Sequence, residues 1–176
     1  MKQRSAKFFY WDSSVFIALL SDEKGRAENV AQILEEAESG EVYIVTSSFT
    51  LVEVIKMKGR VPIKIDDQKK VTEFFEKDYF LFVDANRKIT ELARKLVWEN
   101  PALFPKDAVH LASAVEFAKY QDLDGIHSYD NDFLALNGKL QFQCPVVEPV
   151  PNQLTMKLGV PSQKHRKKRK PRQGTN

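Results

Sequence analysis

The chain has 176 residues and 43% apolar side chains, enough for one domain with a proper core. It lacks an uninterrupted apolar run of about 18 residues, so no membrane span is expected, and the lone Cys144 excludes an intramolecular disulfide and suits a reducing cytoplasm. The net charge of +3 conceals an asymmetry: residues 164–176 hold 7 of the 27 basic side chains and no acid, which leaves 20 basic against 24 acidic in the rest.

Met1-Lys2-Gln3-Arg4 is followed by a short apolar stretch broken at Asp12, without a small-residue cleavage site, so no signal peptide is expected. Phe8-Phe9-Tyr10-Trp11 is an aromatic run that predicts a buried strand ending at Asp12. Ser13-Ser14 open a helix to Leu20. Ala27, Val30, Ile33, Leu34 and Ala37 form the apolar stripe of a second helix over 25–39, and Gly40 stands at the expected C-cap position. Val42 to Val45 predict the second strand, and Thr46-Ser47-Ser48 offer capping hydroxyls for a helix from about Phe49 to Lys58.

Residues 59–65 then predict a connector, and Asp66 or Asp67 a cap for a helix carrying Val71, Phe74 and Phe75. Tyr79 to Val83 predict a third strand, followed by a helix with Ile89, Leu92, Ala93, Leu96 and Val97. Pro105 suits the first position of a helix over 105–120, whose apolar face holds Ala108, Leu111, Ala112, Val115 and Ala118. Gly125 to Ser128 predict a fourth strand, Asp130 to Leu136 a brief helix, and Cys144 to Val147 an edge strand, where Pro145 is tolerated. The apolar surroundings of Cys144 predict a buried, inert thiol.

After about Pro149 the composition turns to Pro, Gln, Asn and Lys. The chain therefore divides into a folded domain over 1–150 and a basic C-terminal tail over 151–176, with no internal repeat. Blocks of like charge stay solvated, so the tail is expected to be disordered and to attract nucleic acid.

Strands alternate with helices, and the strands are continuous apolar runs rather than alternating ones. That pattern predicts an α/β fold: a parallel sheet covered by helices on both faces. Such sheets bind ligands beyond the carboxyl ends of their strands. Asp12 and Asp130 meet this positional test, though each equally suits a helix N-cap. Asp107 lies in the first turn of its helix, where a carboxylate meets free N–H groups and the positive end of the dipole. Glu53 stands within Phe49-Thr50-Leu51-Val52-Glu53-Val54-Ile55, a helix with little face left for water, and a partly buried carboxylate needs a partner or a metal. Asp84 passes the same test but is read as ordinary capping. His110, three residues beyond Asp107, is read as a structural or hydrogen-bonded histidine. The Asp130-Asn131-Asp132 cluster lacks the Gly and closing Glu of an EF-hand.

Four carboxylates from separate elements, without a Cys or His ligand set, suit a hard cation bound by oxygen, Mg²⁺ or Mn²⁺. Such an ion lowers the pKa of a water and stabilises a leaving oxygen, which points to phosphodiester hydrolysis.

Four stretches taken together, Asp12-Ser13-Ser14-Val15-Phe16-Ile17, Thr50-Leu51-Val52-Glu53-Val54, Asp107-Ala108-Val109-His110-Leu111-Ala112-Ser113-Ala114 and Ser128-Tyr129-Asp130-Asn131-Asp132-Phe133, resemble the PIN-domain family, in particular VapC-type toxin ribonucleases. They occur in the family's order and span residues 8–148. The resemblance implies a Rossmann-like three-layer fold with a short, mostly parallel sheet, and a metal-dependent endoribonuclease. It implies Asp12, Glu53, Asp107 and Asp130 as the acidic quartet for Mg²⁺ or Mn²⁺, Ser13 and Ser128 as residues that orient the acids, and Asp132 as a match to a more variable acid. It also implies a homodimer and a small antitoxin partner. The basic tail is not part of the usual pattern.

RNA must approach a site whose own acids repel phosphate. Lys56, Lys58, Arg60, Lys64 and Lys106 are the expected contacts in the body, with Arg166, Lys167, Lys168, Arg169 and Lys170 in the tail. Basic residues near a helix end are equally explained as solvated partners of the dipole. Two other functions suit the same residues: a PIN nuclease of RNA processing or turnover without a toxin role, and a non-catalytic nucleic-acid-binding module.

Overall fold

The aromatic run at the start of the chain forms the middle of the molecule. In a computed structural model, which describes residues 6–57, 61–62, 65–139 and 144–151, strand β1 (Lys7–Trp11) pairs in parallel on both sides. Its neighbours are β2 (Val42–Ser47), in register Tyr10 with Val45, and β6 (Gly125–His127), in register Tyr10 with Ile126. The outer strands β5 (Phe80–Val83) and β7 (Val146–Val147) complete a five-stranded, all-parallel sheet of order β5-β2-β1-β6-β7. Pro145 precedes the edge strand β7 and leaves its ladder intact, as the sequence predicts.

Side chains alternate across the sheet and build two cores. Tyr10, Val45 and Ile126 point to the face covered by α5 (Arg87–Glu99) and α6 (Pro105–Phe117), where Ile89, Ala93, Ala108, Leu111 and Ala112 meet them. Trp11, Val42 and Ile44 point to the other face, covered by α1 (Ser13–Leu20), α2 (Arg26–Glu38) and α4 (Ile65–Phe75). There Phe16 packs against Trp11, Phe75 and Phe80 with ring centroids 5.1–5.8 Å apart. Because both faces are buried, Phe8 to Trp11 read as a continuous rather than alternating run.

The segment after β2 differs from the sequence expectation. The helix predicted from Phe49 to Lys58 is the single turn α3 (Thr50–Glu53), and the predicted connector contains β4 (Val61–Pro62), antiparallel to β3 (Lys56–Met57). Val52, Val54 and Ile55 are β-branched and stiff at χ1, which favours extended backbone over helix. Val54 leaves the helix at φ −87°, ψ 50° and inserts into the Trp11 core. α4 starts at Ile65, ahead of the expected Asp66 or Asp67 cap, and the brief helix after β6, α7 (Asn131–Leu134), is shorter than expected. Among the described residues no helix is long and apolar enough to cross a membrane. The basic tail beyond residue 151 lies outside the described residues.

Candidate active site

Asp12 follows the last residue of β1 and caps α1, accepting the Ser14 N–H at 3.0 Å. Its carboxylate also accepts the Ser14 hydroxyl at 2.5 Å and the Ser128 hydroxyl at 2.6 Å. These two serines tie β1 to the end of β6: the Tyr129 N–H donates to Ser14 Oγ at 2.8 Å and the Asp130 N–H to Ser128 Oγ at 2.9 Å. Asp12 is only 5% exposed. Burial raises its pKa, against the hydroxyl bonds and the nearby His110. The capping reading of Asp12 is borne out, and the same carboxylate lies at the strand end where the sequence places a candidate ligand.

Glu53 is half-buried for a reason other than the one the sequence suggests. Its apolar neighbours Leu51, Val52 and Ile55 are exposed and do not cover it. Thr50 is buried, and its hydroxyl meets Thr46 Oγ1 at 2.7 Å, which pins α3 to β2. Three residues on, Glu53 lies on the same helical face. There its Oε2 accepts Ser13 Oγ at 2.5 Å and His110 Nε2 at 2.7 Å, while the Tyr10 hydroxyl lies 2.9 Å from His110 Nδ1. Burial alone would raise the Glu53 pKa, but the His110 and Ser13 bonds reverse this and hold it below the usual carboxylate range. His110 is buried and hydrogen-bonded as predicted, but its partner is a site acid.

Asp107 sits in the first turn of α6 behind Pro105 and is 4% exposed. Asp130 caps α7, accepting the Asp132 N–H at 2.9 Å. The Lys106 ammonium lies between these two acids, 3.1 Å from Asp107 Oδ1 and 3.4 Å from Asp130 Oδ2. Burial raises the Asp107 pKa, with Asp130 adding to it and Lys106 opposing it. Burial would lower the Lys106 pKa, yet Asp107 and Asp130 together raise it.

The four predicted acids thus reach one end of the sheet, but in separate holds: Asp12 in a pair of serines, Glu53 against His110 and Ser13, Asp107 and Asp130 around Lys106. Among the described residues no group of three acidic, histidine or cysteine side chains is placed to hold a metal ion. The donor chemistry nevertheless fits a hard cation. Every donor is a carboxylate oxygen, Asp12 and Asp107 are buried with their charged forms disfavoured, and an ammonium already lies between two of the four.

The Ser13 hydroxyl donates to Glu53 and the Ser128 hydroxyl to Asp12. Asp132 is exposed and engages Asp130 through its backbone N–H. Asp84 is exposed, and the capping expected of Asp84-Ala85-Asn86 is supplied by Asn86, which caps α5. Lys58, Arg60, Lys64 and the tail residues Arg166, Lys167, Lys168, Arg169 and Lys170 lie outside the described residues, and Lys56 is described only as backbone of β3. The two contacts of the Ser14 hydroxyl, to Asp12 and to the Tyr129 N–H, are not anticipated from the sequence, because they depend on how β6 packs beside β1.

A parallel sheet of this order, with carboxylates gathered beyond its strand ends, defines a class. The family model for the PIN domain matches residues 9–139, and the chain belongs to the PIN-domain family. The fold is similar to that of Mycobacterium tuberculosis VapC20, a toxin that cleaves the sarcin-ricin loop: TM-score 0.54 and 14% identity, over 72% of this chain and 93% of that one. It is also similar to VapBC2 from Rickettsia felis, solved bound to a DNA fragment from their promoter, with TM-score 0.51 and 14% identity over 80% of this chain and 97% of that one. A toxin–antitoxin complex from Klebsiella pneumoniae matches with TM-score 0.48 and 22% identity over 82% and 98%. At 14% identity the likeness to the first two is one of fold. No curated protein sequence matches the chain significantly.

Proposed function

We propose that this PIN domain is a divalent-cation-dependent endoribonuclease, the toxin of a toxin–antitoxin pair, with Asp12, Glu53, Asp107 and Asp130 holding Mg²⁺ or Mn²⁺. The observation that carries the chemistry is the burial of Asp12 and Asp107 at the sheet's carboxyl end, where desolvation outweighs their partners among the described residues and disfavours the charged forms. Buried carboxylates in that condition draw in a cation. A bound divalent ion supplies a lowered water pKa and charge for the departing oxygen. The chain's own residues prepare the ground. Ser14 and Ser128 aim Asp12, Ser13 and His110 keep Glu53 ionised, and Lys106 brings a cation to the site entrance.

The toxin role is supported by the similar fold of VapC20, which cleaves the sarcin-ricin loop, and of VapBC2. RNA is the proposed substrate, with the basic segment in 151–176 as an arm that adds salt-sensitive affinity to the domain over 1–150. A small antitoxin and a second copy of the chain are the proposed protein partners. Asp107→Asn is expected to abolish Mg²⁺-dependent cleavage of RNA while circular dichroism and melting stay close to the parent. Undiminished cleavage by this variant would overturn the assignment.

A further inference from the structure

The two acids that Lys106 joins come from different elements, Asp107 from the first turn of α6 and Asp130 from the cap of α7. Among the described residues, the other side-chain hydrogen bonds to the quartet come from short or buried groups: Ser13, Ser14, Ser128 and His110. Lys106 is different. Its side chain is 52% exposed and ends a flexible four-carbon stem, so its ammonium can leave both carboxylates without moving α6. Asp107 is fixed in place by its buried position. A divalent ion on Asp107 and an ammonium on the same oxygens repel each other and compete for the same lone pairs.

We propose that Lys106 is a resident counter-ion that occupies the Asp107–Asp130 pair until a divalent cation displaces it, whereupon the freed ammonium meets the phosphate of the substrate. The inference rests on the nuclease function proposed above and adds an order of events. The same side chain first balances the acids and then balances the anion that the acids would repel. Lysine suits the second task as a compact point charge for phosphate.

The test titrates the full-length protein with Mn²⁺ alone, by calorimetry, and follows melting with and without EDTA. Lys106→Met is expected to bind Mn²⁺ about tenfold more tightly, and to show a larger Mn²⁺-induced rise in Tm than the parent. Lys106→Arg, which restores a cation, is expected to return Mn²⁺ affinity toward the parent's. In single-turnover cleavage of a single-stranded RNA, Lys106→Met is expected to require more RNA for half-maximal rate. Equal or weaker Mn²⁺ binding by Lys106→Met, with the parent binding and cleaving normally, overturns the counter-ion role and leaves the nuclease assignment standing. A parent protein that neither binds Mn²⁺ nor cleaves RNA overturns both.

Discussion

Asp12 and Asp107 are almost equally buried, at 5% and 4% exposure, yet they are held in opposite ways. Asp12 is bonded by two short serine side chains, each with a second backbone bond: Ser14 accepts the Tyr129 N–H across the β1–β6 junction and Ser128 accepts the Asp130 N–H of its own turn. Asp107 faces a half-exposed lysine whose only other ion-pair partner among the described residues is Asp130, itself one of the four candidate acids. On the proposed reading, one corner of the site keeps its geometry and the other exchanges its partner. A binding module would have little use for that asymmetry, whereas a site that admits a cation and then an anionic substrate needs both properties.

The comparison can be broken most severely at the carboxylates themselves. Asp12→Asn and Asp107→Asn are each expected to lose Mg²⁺-dependent RNA cleavage by about three orders of magnitude, since several kcal/mol of charge stabilisation goes with the ligand; rate constants on a common RNA read this directly. Stability should separate the corners next. Ser128→Ala removes the donor to Asp12 and the acceptor of the Asp130 N–H, and is expected to cost about 1–3 kcal/mol in urea unfolding. Lys106→Met should change the same measurement by less than about 1 kcal/mol, because a half-exposed ion pair contributes little. Equal losses from the two variants would erase the distinction.

The floor of the rigid corner has a pH signature. His127 is buried, Trp11 Nε1 donates to its Nδ1 at 3.0 Å, and burial lowers its pKa from 6.5 to about 3. The unfolded chain binds this proton at higher pH than the folded one. The stability from His127 is therefore complete above pH 6.5 and lost as pH falls from there toward 3, with a slope of at most about 1.4 kcal/mol per pH unit. His127→Asn keeps an acceptor for Trp11 and should flatten that part of the stability–pH curve; an unchanged slope would assign the acid sensitivity to other groups. Glu53, whose pKa is lowered, adds its own loss on the acid side as pH falls through its folded value. The smallest effect is expected at Asp132→Asn, a change of less than about threefold in cleavage, since Asp132 meets Asp130 through its backbone N–H.

Much of the fold was legible because the signals are local. The continuous apolar runs of β1, β2 and β5, the stripe of α2 and the Pro105 start of α6 each lie within a few residues of chain. The exception, the helix expected over Phe49 to Lys58, failed because a β-branched run and the burial of Val54 outweighed the capping hydroxyls before it. Glu53 is only partly buried, but not for the reason the sequence suggests: its apolar neighbours Leu51, Val52 and Ile55 face solvent, and Thr50 rather than they positions it. His110 is hydrogen-bonded as the sequence leads one to expect, but nothing within its own helix shows that its partner will be Glu53, 57 residues earlier.

The sequence by itself determined which residues end strands and open helices, and so placed Asp12, Asp107 and Asp130 at helix starts along one edge of the sheet. It also determined the acidic body, the basic tail and the burial of Cys144, whose thiol is pushed up to about 11. Only the tertiary structure decided which partner each acid receives. The Ser128–Asp12 bond spans 116 residues and the Lys106–Asp130 contact 24. Such pairings follow from strand order and helix placement, which emerge only when the whole sheet has packed. Capping and periodicity act over one or two turns of chain, and the chemistry of this site is made at distances they do not reach.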